Sequence, residues 1–323
     1  MKFTILLLFY FVELANKKNW MKLLILVIGV VVFCSCETNQ VVDNLNELVK
    51  EDSIITERKE TVVIPKYKPF DRTKIKANLQ YKIENNIPLI THVLVPLCDN
   101  LNQGIVPTTK SLGDGFSLRT NLYWATSHGV KRYFKELRDW SLLSSQIFSK
   151  DSIVLERVVF EKKYPNGANV ILIADAYRGD KIEDCLIDFF NALSGILNDT
   201  VFINQDTILV HSKVDLIAYN GHNGLMDVWV DDVCNADSIQ KDAIVIACSS
   251  MYDFNEKLNY VQAYPLVMTT NSLYPGAFVL EATINNWAML QSEEKIRQSA
   301  GDAYNRVKKC GINGARNLFS TGW

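Results

Sequence analysis

The sequence predicts an α/β domain built on a mostly parallel sheet with helices on both faces. From residue 92 onward, apolar runs of strand length alternate with helix-patterned stretches, the sign of βαβ units. The runs are continuously apolar, as in strands covered on both sides. A composition of 48% hydrophobic and 22% charged residues is that of an ordinary globular protein.

The elements follow in chain order. Strands are predicted at 93–97 (VLVPL), 154–160 (VLERVVF), 170–174 (VILIA), 216–219 (LIAY), 244–247 (IVIA) and 265–269 (PLVMT). Amphipathic helices are predicted at 122–137, 180–197, 278–290 and 294–309. In open α/β sheets ligands bind beyond the carboxyl ends of the strands. The polar residues there are Cys98-Asp99-Asn100, Asp175 to Gly179, Asn220 to Gly224, and Cys248-Ser249-Ser250.

Two apolar runs, at 4–12 and 23–33, precede this domain, and each is shorter than the roughly 18 residues that span a bilayer. The second follows Met21-Lys22 and ends in Cys34-Ser35-Cys36-Glu37, the layout of a signal peptide. It resembles a bacterial lipoprotein precursor, which implies lipidation of Cys36, export, and attachment to the membrane through a lipid anchor only. Met21 is an alternative initiator. Residues 1–36 are therefore expected to form the signal peptide with its lipobox, 37–80 a polar tether, and 81–323 the α/β domain.

With 34 Lys+Arg against 36 Asp+Glu and a net charge of -2, no global field would attract nucleic acid, so no nucleic-acid partner is expected. Seven cysteines without a C-x-x-C pair argue against metal-finger and disulfide-scaffold classes. The acidic stretch Asp227, Asp231, Asp232 and Asp237 lacks the glycine and spacing of an EF-hand loop and reads as solvated charge. Neither a metal nor a cofactor is expected.

Cysteine chemistry at neutral pH needs a thiolate, and a nearby imidazole both stabilises it and delivers a proton to the leaving group. Of the four histidines, His222 stands just beyond an apolar strand, between the glycines Gly221 and Gly224, and Cys248 follows the next apolar run. The catalytic pair expected is His222 and Cys248. His92, at a strand start, and His211, in a polar turn, read as structural, while His128-Gly129 falls inside a helical pattern. Cys185 and Cys310 read as packed on helices, and Cys234 as a thiol open to pairing in an oxidising compartment.

The order apolar strand, His222, apolar strand, Ala247-Cys248 resembles the caspase, gingipain and legumain superfamily of cysteine peptidases, in which one strand ends in His-Gly and a neighbouring one in Ala-Cys. The resemblance implies a caspase-like three-layer sandwich and peptide-bond hydrolysis, with a peptide or protein as substrate. It implies that backbone N–H groups at Asn223, Gly224 and Cys248 hold the oxyanion. Asn223 stands where the family has glycine, so a catalytically silent module that binds a peptide, glycan or protein partner is the alternative. The short chain between the two strands leaves no room for a long activation loop. Asp99, Asp175, Arg178 and Ser249, at other strand ends, are the substrate-pocket candidates, and the segments 102–104 and 113–115 are read as a mobile loop bordering the cleft.

Overall fold

The computed structural model describes residues 69–196, 199–203, 206–210 and 214–323, with backbone only in 199–210. The expected signal peptide, Cys36 and His211 lie outside these residues. Among the described residues no helix is long and apolar enough to cross a membrane.

The chain runs through α1 (Thr73–Glu84), β1 (Leu89–Pro96), α2 (Val130–Glu136), β2 (Ser141–Ile147), β3 (Val154–Lys163), β4 (Asn169–Tyr177) and α3 (Ile182–Ser194). A hairpin of β5 (Asp199–Ile203) and β6 (Asp206–Val210) follows. Then come β7 (Leu216–Asn220), β8 (Lys241–Ile246), α4 (Ser250–Tyr260), β9 (Ala263–Thr269), α5 (Ala277–Ala288), α6 (Glu293–Lys308), α7 (Ile312–Asn317) and β10 (Phe319–Ser320).

Eight strands form one sheet in the order β10-β9-β8-β7-β1-β4-β3-β2. The five central strands, β9 to β4, are mutually parallel, and antiparallel neighbours close both edges. The predicted α/β class, with its mostly parallel sheet, is what the chain forms. All six predicted strands are present, each close to its expected bounds.

Helices cover both faces because consecutive strand residues point to opposite sides. Ile244 and Ile246 pack with Leu79 of α1, Phe134 of α2, Phe278 of α5 and Ile296 of α6 in one apolar core. Val245 and Ala247, one place along, pack with Phe189 of α3 and Phe254 of α4 in the other. The layers are therefore helix, sheet, helix.

Two expectations change. The boundary set at residues 80 and 81 falls inside α1, whose Ile75, Leu79 and Ile83 are buried against the domain. Just before it, the buried Arg72 guanidinium makes two hydrogen bonds, of 2.6 and 2.7 Å, to the buried Asp242 carboxylate at the start of β8. That bidentate pair fastens the segment to the sheet, and a polar composition gave no sign of it.

The helix expected at 122–137 is confined to Val130–Glu136. Before it the chain folds back through turns, with Val130 N–H donating to Tyr123 O at 2.8 Å. Gly129 lies so close to the Trp124 backbone that a Cβ there would collide with it, a contact no straight helix makes. Elements that the sequence did not announce are the edge strands β2 and β10, the hairpin β5–β6, and the helices α1, α4 and α7.

Candidate active site at the ends of β7 and β8

β7 and β8 are adjacent and parallel, as expected, and their register pairs Asn220 with Ile246. His222 and Cys248 each lie two residues past that pair, so equal lengths of chain carry both to the same edge of the sheet. Neighbouring strands run about 4.8 Å apart. Gly221 continues the ladder through its N–H to Ile246 O at 3.1 Å. It also approaches Pro96 so closely that a Cβ would lie 2.9 Å from that ring.

A cavity of about 590 Å³ opens at this edge, and Cys98, His222 and Cys248 all line it. Its walls come from the loop after β1 (Gly104, Ile105, Val106), from Leu122 and Tyr123, from the segment after β9 (Leu273, Tyr274), and from Tyr304 of α6. Of the two segments read as a mobile loop bordering the cleft, 102–104 reaches the cavity through Gly104 and 113–115 does not line it, and the chain after β1 is tied down. Asn121 bridges Cys98 N and O, and the Gln103 amide donates to Leu97 O and Gly179 O.

His222 is nearly buried, with Nε2 2.8 Å from Asp227 Oδ2. A carboxylate can only accept, so Nε2 carries the hydrogen and Nδ1 is left as the basic nitrogen. The same Asp227 oxygen accepts the Gly104 N–H at 2.8 Å. Gly104 sits against that carboxylate so tightly that any side chain there would displace it. Asp227 is thus the group that orients His222, and sequence reading placed it only in a solvated acidic run. Its spacing of one short 3₁₀ turn, Gly224–Met226, after the histidine was the available signal.

The rest of that acidic run is also taken up. Asp231 accepts from Trp229 Nε1, Asp232 pairs with Lys257, and Asp237 pairs with Lys241. No cluster of three or more His, Cys, Asp or Glu suited to a metal occurs among the described residues.

Cys248 is partly exposed, and its thiol donates to Leu273 O at 3.6 Å. Ser249 follows at φ +52, turning the chain from β8 straight into α4. The turn is held by Ser250 Oγ, which donates to Val245 O at 2.9 Å, and by the Thr269 hydroxyl, which donates to Ala247 O. Cys98, the second thiol of the cavity, differs in kind. Burial pushes its pKa up to about 11, against a partly offsetting hydrogen bond from Tyr123. It remains a thiol at neutral pH, and a thiol is not the nucleophile.

Asn223 has φ −75, so this position makes no demand for glycine. Its side-chain amide donates to Cys248 O at 2.7 Å and to Asp253 Oδ2 of α4 at 2.6 Å, joining the two strand ends directly. Gly224 is required for another reason: a Cβ would lie 2.7 Å from Ile182 of α3. Its backbone hydrogen-bonds to the buried Tyr219 hydroxyl, which itself donates to His222 O at 2.7 Å. That contact, rather than the cavity, takes up the Gly224 backbone.

None of the four expected pocket residues lines the cavity. Asp99 is buried and accepts the N–H groups of Leu101 and Asn102, holding the loop after β1. Asp175 lies inside β4, where Arg157 binds both its oxygens and His92 Nε2 stands 2.8 Å from one of them. Arg178 pairs with Asp180 and lies over the Phe116 ring. Ser249 is committed to the turn, its N–H donating to Asn271 O at 3.1 Å. Strand alternation and local pairing use up the Asp99, Asp175 and Arg178 side chains before a ligand can, whereas Ser249 is held off the cavity wall by the turn that carries it.

The remaining histidines and cysteines sort by packing. His92 is buried within β1, and His128 packs edge-on against Tyr274 and Phe278. Cys185 is buried on α3 as expected, whereas Cys310 lies past the end of α6 and is exposed. Cys234 is exposed, and all five thiols of the described residues are free. Comparison with models of protein families, with curated proteins and with solved structures finds no match to this chain.

Proposed function

We propose that this domain is a cysteine hydrolase of caspase-like fold that cleaves peptide bonds, with Cys248 as nucleophile, His222 as acid–base group and Asp227 as its orienting carboxylate. The observation that carries the reading is the single cavity lined by His222 and Cys248 at the ends of adjacent parallel strands. In the proposed reaction the Cys248 thiolate attacks the peptide carbonyl. The proton held at His222 Nδ1 passes to the leaving amine, and water, deprotonated by the same nitrogen, releases the acyl group. The backbone N–H groups of Asn223 and Cys248 are the oxyanion donors in this scheme, Gly224 being engaged elsewhere. The exported, lipid-anchored location belongs to the same proposal, and its support is the sequence from Met21 to Cys36.

A silent binding module remains the second reading, favoured by one observation: the thiol of Cys248 is donated to Leu273 O. A neutral thiol reagent, applied for a limited time and mapped by mass spectrometry, separates the two. The hydrolase reading expects Cys248 to be labelled ahead of the exposed Cys234 and Cys310, and His222→Ala to slow it. Labelling at Cys248 that is no faster than at Cys234 and insensitive to His222 would favour the silent module.

A further inference from the structure

The walls of the cavity carry a second message, about what enters it. Among its described lining residues there is no Asp, Glu, Lys or Arg, and His222 is the one basic side chain. The polar tips of the aromatic walls are already committed. Tyr123 bonds to Cys98, Tyr274 to Thr126, and the Tyr304 hydroxyl accepts the Tyr274 N–H at 3.2 Å. Lys308 lies over the Tyr274 ring, 4.3 Å from its centre, without reaching the lining. The Asp227 carboxylate is spent on His222 and Gly104.

Thr108 and Ser272 supply the remaining side-chain hydroxyls, so a charged side chain seated here would give up water for walls that offer no opposite charge beyond His222. An aromatic or branched aliphatic one would gain from burial against rings. The rim agrees with the interior. Val106 is 92% exposed and Met226 64% exposed, and both border the opening, so apolar surface is presented to solvent where a ligand would enter. The volume of about 590 Å³ admits a large side chain with part of its neighbour.

We propose that the cavity beside Cys248 selects, from a peptide, a bulky uncharged side chain, aromatic or branched aliphatic. This rests on the hydrolase reading for one point only, that the selected residue is the one whose carbonyl Cys248 attacks.

The test uses the full chain and two sets of compounds. The first is a panel of peptidyl chloromethyl ketones that differ only in the terminal residue: Phe, Leu, Asp, Asn, Arg or Lys. Labelling of Cys248 by the Phe or Leu compound should be at least about tenfold faster than by the other four. A charged or carboxamide compound that matches or exceeds them overturns the inference. The second set is unreactive: N-acetyl-phenylalanine amide and N-acetyl-aspartate amide, each used to protect Cys248 from iodoacetamide, with Cys234 and Cys310 as internal references. Selective protection of Cys248 by the phenylalanine compound supports the inference even where no ketone outpaces iodoacetamide, in which case the hydrolase reading alone has failed. Equal or absent protection by the two overturns the inference itself.

Discussion

His222 Nε2 stands 2.8 Å from Asp227 Oδ2, and the same oxygen holds the Gly104 N–H of the loop that walls the cavity. One carboxylate therefore fixes both the tautomer of the histidine and the position of the loop. Replacing it tests the arrangement directly. Asp227→Asn can donate where Asp227 only accepts, which favours the wrong imidazole tautomer. Labelling of Cys248 by iodoacetamide should fall by about tenfold or more, while the labelling rate of Cys234 stays unchanged. An unaltered Cys248 rate would remove Asp227 from the proposed mechanism.

Asn223 ties Cys248 O to Asp253. Asn223→Ala removes both bonds and leaves a carboxylate and a carbonyl to find water, a loss of about 1–3 kcal/mol in urea unfolding. Asn223→Gly, which restores the residue found in the caspase-like pattern, should cost at least as much. Glycine is therefore not the better residue here, and a Gly variant more stable than the wild type would contradict the role assigned to the amide.

The Arg72–Asp242 pair predicts where the folded domain begins. Arg72→Met leaves the Asp242 carboxylate buried with the Trp287 N–H, 2.8 Å away, as its remaining hydrogen-bond donor, and a loss of about 3–5 kcal/mol is expected in denaturant unfolding. A chain started at residue 81 should be worse still, because it lacks Arg72 together with Ile75 and Leu79 of α1. Proteolytic stability of that shortened chain equal to one started at residue 69 would refute this boundary.

Asp175 predicts a pH dependence. Burial by itself would raise its carboxyl pKa, but the Arg157 guanidinium, with His92 on the other side, holds it well below the usual carboxylate range. The unfolded chain therefore takes up the proton first as pH falls. The stability due to this group is fully present above the unfolded pKa of about 4 and is lost as pH falls from there toward the folded value. Asp188 and Asp215, raised by burial, act with the opposite sign, so the comparison needs a matched variant. The difference in unfolding free energy between the wild type and Asp175→Asn should be constant above about pH 5 and smaller at about pH 3. A difference that stays constant across this range would mean that Asp175 is not the titrating group.

The proposed anchor has its own check. Expression from Met21 should give a membrane-associated product, and Cys36→Ala should abolish that association or leave the precursor unprocessed. Identical fractionation of the two would end the lipoprotein reading.

Six strands and the α/β class were legible in the sequence because they are local. Runs such as IVIA at 244–247 carry enough apolar side chain to be buried on both faces wherever they are placed in a sheet. The same logic put His222 and Cys248 at strand ends. The strand β2, with mostly exposed and polar residues, gave no such signal, and it forms because β3 offers it an antiparallel edge. What only the tertiary structure decided is which side chains were still available. Asp99, Asp175 and Arg178 read as site residues until the fold gave each a partner, and Ser249 until the turn after β8 kept it off the cavity wall. Asp227 read as solvent-facing until the 3₁₀ turn after β7 set it beside His222. A local pattern fixes whether a segment becomes a strand or a helix. A polar group's partner is fixed by sheet neighbours and loop closures between residues far apart in the chain, such as Gly104 and Asp227, and no local pattern records these.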